Sequence, residues 1–123
     1  MKRFYGKTIA DVELWERKLI VRFDDGDSFE LIDKPQECCE ERFLRTDDDL
    51  LSLIGCKMLG VHCKSAEIRY RHGSVEEVNF IELETDGGFA TIACYNIHNG
   101  FYGGIEPQII TKTGDAIHLY VGS

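Results

Sequence analysis

Residues 36–43 read QECCEERF, two adjacent cysteines enclosed by acidic side chains. Thiols can ligate a metal, cycle a disulfide or act as nucleophiles. Zinc asks for about four N or S ligands in a tetrahedron, and C-x2–4-C spacing lets one loop wrap the ion. Direct adjacency does not serve this well, because in an extended segment Cys38 and Cys39 point to opposite faces. Further ligands would come from FATIACYNIH, where Cys94 and His98 share a face under the period of two. The candidate metal set is therefore Cys38, Cys39, Cys94 and His98 around zinc, with His62 and Cys63 as substitutes. The plainer alternative is core packing, since unpaired cysteines are often buried. Redox use is disfavoured: Glu37, Glu40 and Glu41 hold nearby thiols in the protonated form. Nothing in the sequence brings His62 or His98 beside a cysteine nucleophile.

Signatures of the common enzyme classes are absent: there is no G-x-x-x-x-G-K-[ST], G-x-S-x-G, H-E-x-x-H or dinucleotide fingerprint. GFYGG at 100–104 lacks the strand-turn-helix context that would aim amides at a phosphate. A binding protein, not an enzyme, is the expectation. In NIHNGFYGG, Asn99-Gly100 suits a turn and Tyr102 is an amphipathic candidate for partner contact, although a turn with its aromatics in the core explains the stretch equally.

The formal charge of −8 argues against electrostatic binding to nucleic acid, which relies on Lys and Arg. Residues 24–49 hold eleven acids against Lys34, Arg42 and Arg45, so this short part of the chain carries the whole net charge. The bland reading is a solvated face. The sharper one is a docking surface for a basic protein, with Asp24, Asp25, Asp27, Glu40, Glu41, Asp47, Asp48 and Asp49 as the partner-binding acids.

These residues must be positioned by sheets. KLIVRF and SFELI alternate apolar side chains around the turn residues DDGD, a β-hairpin to which TIADVEL adds a third strand. DDDLLSLIG reads as a short capped helix stopped by Gly55, with Leu50, Leu51, Leu53 and Ile54 packed on a sheet. MLGVHCKSAEIRYR, VEEVNFIELET, FATIACYNI, QIITK and AIHLYV are strand-like, with a second hairpin at Asp86-Gly87-Gly88. In VEEVNFIELET, Val78 and Phe80 share one phase and Ile81 and Leu83 the other, so that strand is covered on both faces or bulged. The expected fold is a single α+β domain over residues 1–123. It is mainly antiparallel sheet of seven or eight strands with one or two short helices, a partly closed barrel being the alternative arrangement. No apolar run approaches the roughly 18 residues that span a membrane. The N-terminus lacks a signal-peptide core, so the protein is expected to stay in a reducing cytoplasm.

FYGKTIADV, ECCEERF, DLLSLIGCKMLGV and ELETDGGFATIACYNIHNGFYGG, in that order, resemble a small domain of unknown function found in phages and prophages. The resemblance spans roughly residues 5–105 and rests on Gly6, Lys7, Cys38, Cys39, Leu53, Ile54, Gly55, Thr85, Gly88, Asn99, Gly100, Tyr102, Gly103 and Gly104. Phe101 and His98 depart from that pattern, and Cys56, Cys63 and Cys94 lie outside it. The resemblance implies a phage or prophage origin and a location in the host bacterial cytoplasm, without an established activity. Combined with the acidic charge, it leads to the expectation of a non-enzymatic, anti-CRISPR-like inhibitor. Such a protein would bind a basic surface on a host protein, such as a CRISPR-associated nuclease, and block nucleic-acid loading. A zinc-binding or small-ligand-binding phage accessory protein is the alternative.

Overall fold

The computed structural model describes residues 1–37, 39–69, 73–100 and 103–122. Nine strands run in chain order: β1 (Ile9–Leu14), β2 (Lys18–Phe23), β3 (Ser28–Ile32), β4 (Glu40–Arg45), β5 (Met58–Arg69), β6 (Val75–Thr85), β7 (Gly88–His98), β8 (Gln108–Thr111) and β9 (Ala116–His118). They form two antiparallel sheets, a five-stranded one in the order β1-β2-β3-β8-β9 and a four-stranded one in the order β4-β7-β6-β5.

The α+β expectation is corrected: the fold is nearly all-β, with 56% strand, no helix of seven residues and no closed barrel among the described residues. Among the described residues, two 3-10 turns, Lys2–Phe4 and Leu50–Leu53, are the only helical segments. In DDDLLSLIG the side chain of Asp49 caps Leu51 N, while Gly55 at φ 89° already turns the chain out. Too few residues lie between these stops to sustain a helix whose nucleation is unfavourable. Only Leu53 of the expected apolar face is buried, and Leu51 and Ile54 are exposed.

The two hairpins follow from turn chemistry. Gly26, at φ 87°, closes the β2–β3 turn, and β6 meets β7 in unbroken register from Thr85↔Gly88 to Val75↔His98. With no bulge between these two strands, the phase conflict in β6 resolves as a two-faced strand: Ile81 and Leu83 join the core, and Val78 and Phe80 face the other way.

The sheets meet at two corners. Beside β1, Gly6 N donates to Met58 O (2.7 Å) and Ile9 N to Cys56 O (2.8 Å); at the other corner, Leu44 N donates to Glu16 O (2.8 Å). One continuous core lies between them, built from Leu19, Val21, Phe29, Leu31 and Ile109 on one side and Leu44, Val61, Ile81, Leu83 and Ile92 on the other. The first 3-10 turn drops Phe4 into this core against Phe23 and Phe29, with ring centroids 5.5 and 5.0 Å away.

An N-terminal turn would ordinarily fray, so Phe4 is what holds this one. Phe4→Ala should lower stability by about 3–5 kcal/mol, the usual range for emptying a buried aromatic site. A shift of the urea midpoint with an unchanged slope would report it.

Candidate functional site

Strand alternation gives the four-stranded sheet an inner and an outer face. Along β7, Ile92, Cys94, Asn96 and His98 point inward; along β4, so do Glu40, Arg42 and Leu44. The apolar half of this inner face meets the core. The other half is polar and is roofed by the linker 33–37 and the segment 103–106.

Arg42 is the centre of the polar half. Its side chain is fully buried, and its guanidinium donates to Asp33 Oδ2 (2.8 Å) and to both Glu40 oxygens (3.1 and 2.7 Å). Glu40 also accepts from Asn96 Nδ2 (2.8 Å) and Glu37 N (2.9 Å), and Asp33 Oδ1 accepts from Lys34 N and Glu106 N, each at 2.8 Å. Burial by itself would raise the Glu40 carboxyl. The Arg42 hydrogen bonds, the Glu37 amide and Asn96 outweigh that and hold it at about 2, against an ordinary 4.5. Asn96 Oδ1 is buried without a hydrogen-bond partner among the described residues.

Beside this network, His98 Nδ1 accepts from Gly100 N (2.9 Å) and its Nε2 lies 2.6 Å from Glu77 Oε1. An accepting Nδ1 assigns the proton to Nε2, so His98 is the neutral tautomer that donates to Glu77. Gly103 is packed against this pair, where a Cβ would stand 2.8 Å from Glu77 Oε1. Lys34 Nζ and Gly104 N complete the roof by bonding Gly103 O and Glu77 Oε1, each at 2.9 Å.

The structure places three of the four candidate zinc ligands. Cys94 and His98 do share a face, but four residues along a strand at ~3.3 Å each put them about 13 Å apart, while Zn–ligand bonds are only about 2.0–2.3 Å. Both ring nitrogens of His98 are occupied. Cys94 sits fully buried between Leu44 and Asn79, and burial pushes its thiol far up, as it does more mildly for Cys63. Cys38 lies outside the described residues. Cys39 is exposed at φ 72°, so the chain bends there before entering β4. Among the described residues no three His, Cys, Asp or Glu side chains gather to hold an ion.

The acidic candidates also separate. Glu40 is interior, 7% exposed, and cannot be a docking residue. Asp25 and Asp27 share Lys7 Nζ at 2.7 and 2.9 Å, and Arg3 reaches Asp27 at 3.2 Å. The Lys7 hydrogen bond leads the causes that bring Asp27 to about 2. Asp24 is exposed in the same turn, Asp49 is used as a cap, and Tyr102 lies outside the described residues. Glu41, Asp47 and Asp48 remain exposed on or beside the outer face of the four-stranded sheet.

That outer face holds side chains that sequence reading passed over. Phe43, Tyr95 and Val78 align across β4, β7 and β6, with Ala93 and Phe80 in the next row. Phe43 and Tyr95 stack at 4.9 Å, their planes 15° apart. The phase of Val78 and Phe80 was the one sequence signal pointing to this patch.

The family described as Domain of unknown function (DUF7448) matches residues 2–105, most of the chain. The chain belongs to that family. No curated protein and no solved structure matches it. The DUF7448 match takes in all four strands of the aromatic-bearing sheet and the polar half of its inner face, and it stops before β8 and β9.

Three outcomes follow from the geometry. Arg42→Ala strands two buried carboxylates and should cost about 3–5 kcal/mol. Because the folded Glu40 carboxyl lies below its unfolded value, its contribution is present above pH 4.5 and is lost as pH falls towards 2. Denaturant titrations should show wild-type stability dropping through that window, with a shallower drop in Glu40→Gln. Protein purified without added metal should carry less than about a tenth of an equivalent of zinc by elemental analysis, since structural zinc binds too tightly to be lost on purification.

Proposed function

We propose that this chain is a non-enzymatic binding protein of phage origin that covers a basic surface on a host defence protein. A CRISPR-associated nuclease is the concrete target, with nucleic-acid loading as the step blocked. The observation that carries this reading is the outer face of the four-stranded sheet, where half-buried Phe43, Phe80 and Tyr95 stand among carboxylates. Glu41, Glu76, Glu82 and Glu84 share the face by strand phase, and Asp47 and Asp48 lie at its corner. Facing cations are fewer: Arg45 near Asp47, and Lys64, which meets Glu82 at 3.1 Å.

Aromatic area supplies contact energy at an interface, whereas surplus charge of one sign steers association with a partner of the opposite sign. Nuclease channels that hold a guide-target duplex are positively charged, and a chain of net charge −8 suits such a channel. The Asp24–Asp27 turn contributes less to this surface, because Lys7 and Arg3 already offset its carboxylates. Phage origin and action in the host cytoplasm rest on the motif resemblance.

The test adds purified protein in excess to a panel of CRISPR nucleases at low salt and measures DNA cleavage. Inhibition should appear and then weaken as salt rises, because the screening length falls from about 10 Å at 0.1 M to about 3 Å at 1 M. Full cleavage by every nuclease at every ratio overturns the inhibitor reading. Asp47→Asn with Asp48→Asn should slow association severalfold with little change in thermal midpoint.

A further inference from the structure

At the corner of the outer face, β4 ends while β7 continues. The last β4–β7 pair is Arg45↔Ala93, so the next outward-facing residue of β7, Thr91, has no strand beside it on that edge. Side chains of the following loop take over: Thr46 Oγ1 donates to Thr91 O (2.7 Å), and Thr91 N donates to Asp48 Oδ2 (2.7 Å). These two bonds hold the loop against β7 as a wall. Between that wall and the aromatic rows lies a pocket of about 250 Å³ whose lining includes Arg45, Asp47, Asp48, Thr91, Tyr95 and Phe80.

Three properties define what fits. Tyr95 and Phe80 offer aromatic surface, which attracts a cation and favours a planar one that can stack. The Asp47 carboxylate is 88% exposed and, among the described residues, is met only by Arg45 Nη2 at a long 3.4 Å. One oxygen of Asp48 is anchored by Thr91, which fixes its carboxylate in place without neutralising it. A planar cation with several N–H donors satisfies all three. The chain's own Arg45, 63% exposed and loosely held, already places a guanidinium at this edge.

We infer that this pocket receives an arginine side chain from a basic segment of the partner, its guanidinium against Tyr95 and Phe80 and its N–H groups on Asp47 and Asp48. The inference rests on the docking surface proposed above and names the group that docks there. Arginine is preferred over lysine because a compact ammonium cannot stack or donate in a planar fork. Arg45 then acts as a placeholder that an incoming arginine displaces from Asp47.

The test titrates hexa-arginine, hexa-lysine and hexa-citrulline peptides into the isotope-labelled full chain and follows amide shifts. Expected are shifts centred on Asp48, Thr91 and Tyr95, a preference for arginine over lysine of about two- to fivefold from the aromatic contact, and no binding of the citrulline peptide. Tyr95→Leu, which keeps apolar bulk but removes the π face, should abolish the preference, as should Phe80→Leu. Asp47→Asn should weaken binding, and Arg45→Gln should strengthen it. Equal binding of the arginine and lysine peptides, shifts centred elsewhere, or an unchanged preference in both Leu variants overturns the inference. Nuclease assays separate the two readings. Arginine binding at this pocket without inhibition of any nuclease removes the inhibitor function and leaves the pocket, whereas inhibition undiminished by Tyr95→Leu removes the pocket and leaves the function.

Discussion

A guanidinium in a protein interior stays charged, and withdrawing it from water costs several kcal/mol unless carboxylates surround it. Arg42 is such a group, and much of the structure is arranged to meet its demand. Asp33 must come from the linker after β3, Glu40 from the start of β4 and Asn96 from near the end of β7. Asp33 also binds Glu106 N, which draws in the chain leading to β8. One buried cation thus ties both sheets and two connecting segments into a single arrangement, and the four-stranded sheet has an inner face that is apolar at one end and ionic at the other.

This division accounts for the roof over the ionic end. His98 and Glu77 pair beside the network, and the segment at 103–104 passes so close that a Cβ at 103 would stand 2.8 Å from Glu77 Oε1 and force that side chain to shift. Gly103 and Gly104 therefore act as a cover that approaches a buried polar pair closely. The same network removes Glu40 from the surface, although its sequence neighbours Glu37 and Glu41 are exposed.

With the inner face filled, the second apolar phase of β6 has to point outward. Val78 and Phe80 join Phe43 and Tyr95 there, and carboxylates on the same strands surround the patch. Exposed aromatic area in a contiguous patch commonly marks an interaction surface. The carboxylates work against pairing of this face with a second copy of itself, since like charges repel.

Elements whose signals are local were legible in the sequence: the β2–β3 hairpin, closed by Gly26, and the β6–β7 hairpin, closed by Asp86-Gly87-Gly88. β4 was not, because two of its inward residues are Glu40 and Arg42, which look like surface residues until Asp33 and Asn96 are beside them. The Leu50–Leu53 segment carried cap and stop signals for a helix, but they stand too close together. Cys94 and His98 share a strand phase as the period of two requires, yet strand rise keeps them apart. The sequence by itself determined most of the strands and turns and the sign of the surface charge, because each depends on neighbours along the chain. The tertiary structure alone decided which charges are buried, which aromatics reach the surface and where a pocket forms, because those depend on residues that become neighbours only across strands.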